Sequence, residues 1–329
     1  MAFQLVPVTL PGIQEPVRRE LDAAFDELSR IIAADFPIIA EVNRHLLRMK
    51  GKLFRPTLVL LSASATDEVR PRDITLAAVV ELIHLATLVH DDSVDHSVLR
   101  RGQPTINALF SHQIAVIMGD FLYSRAIVEL VEGGDLDALR VMARVTNEMT
   151  VGEMRELEAH DALEYSEDQY DHMIRAKTAS LMSGACELGA LRAGSEAREA
   201  LKRYGLYLGM AFQVADDLLD YTGTERVTGK PTGLDLREHK ITLPLIAALP
   251  RMAASERRLV QQLMTTPTPP DDLIGSVIEI VEQRGGITAA RERAHQLTLS
   301  ADAQLEAVPP GRARDALRDC LAYVIERRS

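Results

Sequence analysis

Apolar residues spaced three and four apart recur through almost the whole of this chain, and no stretch alternates apolar and polar residues as a strand would. In "EPVRRELDAAFDELSRIIAAD", Val17, Leu21, Phe25, Leu28 and Ile32 form one stripe. Such a stripe is one face of an amphipathic helix. The same spacing predicts helices at roughly 36–49, 55–65, 72–95, 105–131, 135–163, 167–193, 196–221, 239–249, 254–264, 270–284, 286–306 and 311–327. Between them stand Gly51, Pro71, Gly133-Gly134, Gly194, Pro267 to Pro270, Gly285-Gly286 and Pro309-Pro310. Glycine and proline at these places end helices. No tandem repeat of ~20 to 50 residues is visible. The 329 residues therefore read as all-α, a single large helical bundle and one domain over 1–329, with 1–15 a short extended arm broken by prolines.

Composition narrows the function classes. A hydrophobic share of 47% supports a real core, and a net charge of -11 argues against general nucleic-acid binding, which needs a basic surface. The two cysteines, Cys186 and Cys320, have no metal-type spacing and fit a reducing compartment. The N-terminus lacks the basic start of a signal peptide. No run reaches ~18 uninterrupted apolar residues. The expectation is a soluble, cytoplasmic protein with no membrane span.

Two acidic clusters need more than a bundle to explain them. "ELIHLATLVHDDSVD" closes one mostly apolar helix with Asp91, Asp92 and Asp95, and "MAFQVADDLLDYTG" closes another with Asp216, Asp217 and Asp220. Residues four apart share a helix face, where like charges repel by roughly 0.2–0.5 kcal/mol in water. In a cleft the repulsion grows, and one group is pushed to protonate. One such cluster is equally a solvated acidic turn. Two in the same arrangement favour a central active-site cavity with facing carboxylates and divalent cations between them. All-oxygen donors suit Mg²⁺, whose open positions substrate phosphates usually fill. Basic residues that could meet phosphates are Lys52 and Arg55 in "GKLFRP", Arg100 and Arg101 after the first cluster, Lys177 in "RAKTASL", and Lys230 and Lys240 around the loop after the second. Each alone is also an ordinary solvated charge.

Through "GKLFRP", "ELIHLATLVHDDSVDHSVLRRGQPT", "GDFLYSRA", "KTASL", "YGLYLGMAFQVADDLLDYTG" and "GKPTGLDLREHKITLPL", the chain resembles the trans-isoprenyl diphosphate synthases, or polyprenyl synthetases, over roughly residues 45–250. The resemblance implies a chain-elongating prenyltransferase using Mg²⁺, roughly three ions with substrate bound. An allylic diphosphate ionises, the double bond of isopentenyl diphosphate attacks the carbocation, and a proton is lost. By matching motif positions, Asp91 and Asp95, with Asp92 beside them, would hold Mg²⁺ on the allylic diphosphate. Asp216 would hold another, supported by Asp217 and Asp220. Arg100, Lys177 and Lys240 would grip the allylic diphosphate; Lys52, Arg55, His84 and Arg101 would bind isopentenyl diphosphate. Thr178 and Gln213 would face the cation with oxygen dipoles, and Lys230 would lie on the closing loop. Apart from the resemblance, His84 reads as a satisfied core histidine. The family is generally dimeric, which implies a homodimer. Two departures stand out: His239 where the family usually has glycine, and Glu156 where relatives often carry glutamine.

Product length should follow the wall beneath the first aspartates. Ala86 and Thr87 lie about one turn before them, and the same helix continues past Ile83 to Val80, about 16 Å below Asp91. None is aromatic. An open wall predicts a medium- or long-chain product, hexaprenyl to decaprenyl, with octaprenyl near the centre. If another helix closes the tunnel, the product is geranylgeranyl or farnesyl diphosphate. Other readings are the catalytic subunit of a heteromeric synthase and a class I terpene cyclase. A di-iron bundle would use Glu81-x-x-His84 and Glu292-x-x-His295, but leaves both aspartate clusters unexplained.

Overall fold

The apolar stripes fold as helices in the computed structural model, which describes residues 8–49, 51–100, 102–158, 163–223 and 232–326. Helix α1 is Leu10–Gln14, α2 Arg18–Ile31, α3 Pro37–Arg48, α4 Phe54–Thr66 and α5 Pro71–Val94. A small antiparallel pair follows, β1 Leu99–Arg100 and β2 Gln103–Pro104. Next come α6 Ile106–Leu109, α7 His112–Glu132, α8 Leu136–Glu158 and α9 Glu167–Ile174. A π turn over Arg175–Ala179 leads into α10 Ser180–Gly189 and then α11 Ser195–Thr222. The chain ends with α12 Leu234–Arg237, α13 Leu243–Ala248, α14 Ala254–Thr265, α15 Asp271–Gln283, α16 Gly286–Gln304 and α17 Arg312–Ile325. The fold is all-α, as the periodicity predicts.

Two local expectations need correction. The segment from Leu10 is helical and not an extended arm. Thr9 caps α1 by accepting from the Gly12 amide, and Pro11 sits in the first turn, where a missing N–H leaves no bond unmade. Ile13 and Gln14 are then buried. The helix predicted over 105–131 is interrupted at Phe110-Ser111, because the Ser111 hydroxyl accepts the Ile114 amide and starts α7 afresh.

The chain gathers into two compact units, each built from several segments. Met1–Arg144, Gly184–Lys202 and Ala307–Leu317 make the first; Val145–Ser183, Arg203–Glu306 and Arg318–Ser329 make the second. In the first, α5 is buried on almost every side from Leu76 to Ile83 and packs against α2, α4 and α7. By length and hydropathy α5 could cross a membrane, but most of it is enclosed by protein here. A helix apolar all round is what a core position calls for. Its first turn is fixed by Asp73, which accepts from the Arg70 amide at 2.8 Å and from both terminal nitrogens of Arg192 at 2.8 and 3.0 Å. In the second unit, α13 is fully buried and packs against α9, α15 and α16.

Candidate active site

The first acidic cluster ends α5, and its three carboxylates differ in circumstance. Asp92 is buried and accepts from Arg100 Nε at 2.8 and 2.9 Å and from Nη2 at 2.7 Å. A charge-assisted bidentate pair of this kind is among the stronger side-chain bonds. The β1–β2 turn brings Arg100 there: Gly102 takes φ +74°, a conformation that suits glycine. The Thr105 hydroxyl and the Asn107 amide both donate to the Ser97 carbonyl and hold the turn. Asp95, at the C-cap of α5, is exposed, and Asp91 is half-buried on the same helix face.

Two of the residues expected to bind the second diphosphate meet between α4 and α5. Arg55 of α4 lies 3.0 Å from His84 Nε2 of α5. The "GKLFRP" turn that sets Arg55 is held by Gln14, whose amide donates to the Lys52 carbonyl at 2.9 Å and to Thr57 Oγ1 at 3.1 Å. Leu53 there has φ +51°. Lys52 is exposed. Beneath the first cluster Ile83 and Ala86 are buried, while Thr87 is half-buried and donates its hydroxyl to the His84 carbonyl at 2.9 Å.

In the second unit, a chain of hydrogen bonds runs through the other cluster. The Thr178 hydroxyl donates to Gln213 Oε1 at 2.8 Å, and Gln213 Nε2 donates to Asp217 Oδ1 at 2.8 Å. The other Asp217 oxygen accepts from the hydroxyl of Tyr170, which is fully buried on α9. Burial holds the Asp217 carboxyl above its usual range, against the pull of the Tyr170 and Gln213 hydrogen bonds. The charges of Asp216 and Glu156 push in the same direction as burial. Asp220 is engaged differently. Its two oxygens accept from the Leu234 and Asp235 amides at 3.0 Å each, capping α12.

Lys177 and Thr178 lie on the π turn, an uncommon element that tends to mark functional sites. Two glycines admit it. A Cβ at Gly152 of α8 would stand 2.7 Å from Lys177 Cα and 2.8 Å from the Ala176 carbonyl carbon. A Cβ at Gly209 of α11 would stand 2.6 Å from Ala179 Cα. The Lys177 ammonium is paired with Glu153 Oε2 at 2.8 Å and with Glu156. Burial alone would lower its pKa, but the charges of Glu156 and Glu153 carry it above the usual value. Gly152→Ala is expected to cost about 1–3 kcal/mol, since backbone atoms and not side-chain tips must move. Urea unfolding measures this; a midpoint unchanged from wild type would show the contact is not tight.

His239 adopts φ +59°, so the position for which the resemblance implies glycine has a left-handed backbone. That conformation costs a non-glycine residue roughly 1–2 kcal/mol. The ring offsets part of it through a 2.9 Å hydrogen bond to the Thr266 carbonyl. Next to it, Lys240 pairs with Glu238 at 2.9 Å, and its amide donates to the Asp235 carbonyl at 2.7 Å. Burial and the charges of Asp217 and Asp220 raise the Asp235 carboxyl well above its usual range. Arg101 and Lys230 lie outside the described residues.

Tyr170, Asp235, Glu153 and Gln14 were not singled out by the sequence. Asp235 stood within the quoted "GKPTGLDLREHKITLPL" segment, and Glu153 stands three residues before the departure at Glu156, so a signal existed for both. Tyr170 and Gln14 sit in stretches with no distinctive pattern. Among the described residues, no three acidic, histidine or cysteine side chains are already gathered as a metal cage. The hard oxygen donors at the ends of α5 and α11 are of the right chemistry for Mg²⁺.

The chain is 37% identical over 317 residues to the all-trans-nonaprenyl-diphosphate synthase (geranyl-diphosphate specific) of Rhodobacter capsulatus, covering 96% of this chain and 97% of that one. It is 33% identical over 326 residues to the octaprenyl diphosphate synthase of Escherichia coli (strain K12), covering 97% and 99%. A crystal structure of polyprenyl synthase from Caulobacter crescentus CB15, complexed with calcium and isoprenyl diphosphate, superposes with a TM-score of 0.93 at 32% identity, covering 98% and 99%. Residues 36–281, which include both acidic clusters and the π turn, match the polyprenyl synthetases, and the chain belongs to that family.

Proposed function

We propose that the chain condenses isopentenyl diphosphate onto an allylic diphosphate to make a medium- or long-chain all-trans polyprenyl diphosphate. The observation that carries this is the Thr178–Gln213–Asp217 hydrogen-bond chain beside Lys177 on the π turn, in a member of the polyprenyl synthetase family. Asp91, Asp95 and Asp216 would hold Mg²⁺ through their carboxylate oxygens. Mg²⁺, when bound, neutralises charge developing on the leaving diphosphate. Asp92 orients Arg100, and Asp217 and Asp220 orient Gln213 and the α12 loop. Lys177, Lys240 and Arg100 grip the allylic diphosphate; Lys52, Arg55, His84 and Arg101 take isopentenyl diphosphate. Thr178, whose proton goes to Gln213, turns its lone pairs to the allylic cation.

The test is to incubate the purified chain with Mg²⁺, labelled isopentenyl diphosphate and each short allylic primer, then size the products. Primer-dependent consumption of isopentenyl diphosphate is expected. Release of diphosphate from the primer without that consumption would point to a terpene cyclase and defeat the proposal. Activity of the single chain separates a self-sufficient enzyme from one half of a heteromer. The nonaprenyl and octaprenyl synthases among the relatives support a long product. Ala86 and Ile83 form the wall that admits it. Ala86→Phe is expected to shorten the products by at least one isoprene unit, read by chromatography. Unchanged lengths would place the limit elsewhere.

The protein acts as a single prenyltransferase domain over 1–329, as a homodimer in the cytoplasm. Ile117, Val128 and Val131 of α7 are exposed apolar residues that support a partner on that helix.

A further inference from the structure

Lys177 has one acid more than it needs. Its ammonium is held by Glu153 Oε2 at 2.8 Å and by Glu156, so a single positive charge meets two negative ones. The three side chains are only 24%, 24% and 21% exposed, which limits screening by water. Glu153 and Glu156 stand one turn apart on α8, where like charges repel unless a cation lies between them. The backbone of Lys177 cannot retreat. It lies on the π turn against Gly152, and the next residue is tied to Gln213. Only the side chain is left to exchange partners.

The surroundings add more negative charge. Glu156 is near enough to Asp217 to affect its carboxyl, and Asp216 adjoins it. A bare diphosphate approaching Lys177 therefore meets net repulsion. A diphosphate already complexed by divalent cations does not. For that ligand, the carboxylate released from Lys177 faces incoming positive charge. A glutamine at 156 would leave Lys177 paired with Glu153 alone, and the repulsion would fall by a full charge.

We infer that Glu156 masks Lys177 against metal-free diphosphate and so makes this half of the site select metal-complexed diphosphate. The inference rests on the proposed role of Lys177 as a diphosphate grip. Glu156 acts through Lys177, as a specificity residue, and not on the reacting atoms.

The test is calorimetric binding of inorganic pyrophosphate to the full chain, in EDTA and in Mg²⁺. Glu156→Gln is expected to tighten metal-free binding about tenfold, the scale of removing one nearby charge in a partly buried setting. Binding in Mg²⁺ is expected to change by less than about threefold. In the Lys177→Met background the same substitution should give no gain in EDTA, because the masked cation is gone. Unchanged metal-free affinity in Glu156→Gln overturns the inference. So do equal gains with and without Mg²⁺, or a gain that persists in the Lys177→Met background; both mark general charge removal. Circular dichroism and thermal melting establish that each variant is folded. Consumption of isopentenyl diphosphate by the wild-type chain keeps the two ideas apart. If the wild type consumes it and Glu156→Gln gains nothing, only this inference falls. If the wild type neither consumes it nor binds pyrophosphate with Mg²⁺, the proposed function falls.

Discussion

Asp91→Asn and Asp216→Asn, made separately, are expected to lower isopentenyl diphosphate consumption by about 10²- to 10³-fold, the usual effect of removing one group that stabilises charge in a transition state. The helical circular dichroism spectrum should not change. Size and shape are conserved, and only the charge that would hold Mg²⁺ is lost. Asp92 and Asp220 should behave differently, because the structure ties each of them to other protein groups. Asp92 is fixed to Arg100, and Asp220 caps α12 through the Leu234 and Asp235 amides. Asp220→Asn keeps a carbonyl oxygen for one of those amides, so its loss should show in stability before it shows in turnover. Turnover by Asp91→Asn equal to wild type would remove the first cluster from the chemistry. An Asp220→Asn defect as deep as that of Asp216→Asn would mean that capping is not its main role.

Arg192→Ala should give the largest loss of stability, about 3–5 kcal/mol, because it strands a buried carboxylate. Asp73 is 1% exposed and receives two of its hydrogen bonds from Arg192. What remains is the Arg70 amide and the favourable field at the start of α5. These offset part of the loss and put the expected value toward the lower end. Urea denaturation of the full chain measures it. Asp73→Asn in the same background should recover part of the stability, since the stranded charge is then gone. If Arg192→Ala unfolds at the wild-type midpoint, the pair is not what anchors α5. The effect also reaches function, because α5 carries the first acidic cluster at its far end.

Much of this was legible because helices write their burial into the sequence at a fixed period. The stripe Leu21–Leu28 and the apolar length of α5 are of that kind, and so are the repeated aspartates at the ends of α5 and α11. Other features leave no periodic trace. Ser111 capping α7 looks like any serine until Phe110 is seen outside the helix. Pro11 reads as a breaker although it starts α1. The two compact units show no boundary in composition because each is assembled from distant segments. Which aspartate of a cluster holds an arginine, a glutamine or a loop depends on partners outside its own motif, such as Arg100 for Asp92 and Tyr170 for Asp217. His239 shows the opposite case: its departure from glycine was visible, but the reason, a left-handed backbone, appeared only in three dimensions.

A π turn is an α-helix with one residue too many, and the surplus is lost to view only while the neighbours hold it. Deleting any one residue from 175–179 would let the run from α9 to α10 wind regularly. The widened backbone that Gly152 and Gly209 admit would close, and Lys177 and Thr178 would lose their present placement on it. A one-residue deletion within 175–179 is therefore expected to cost this chain more activity than an equal deletion from an exposed loop, even where it spares Lys177 and Thr178 themselves.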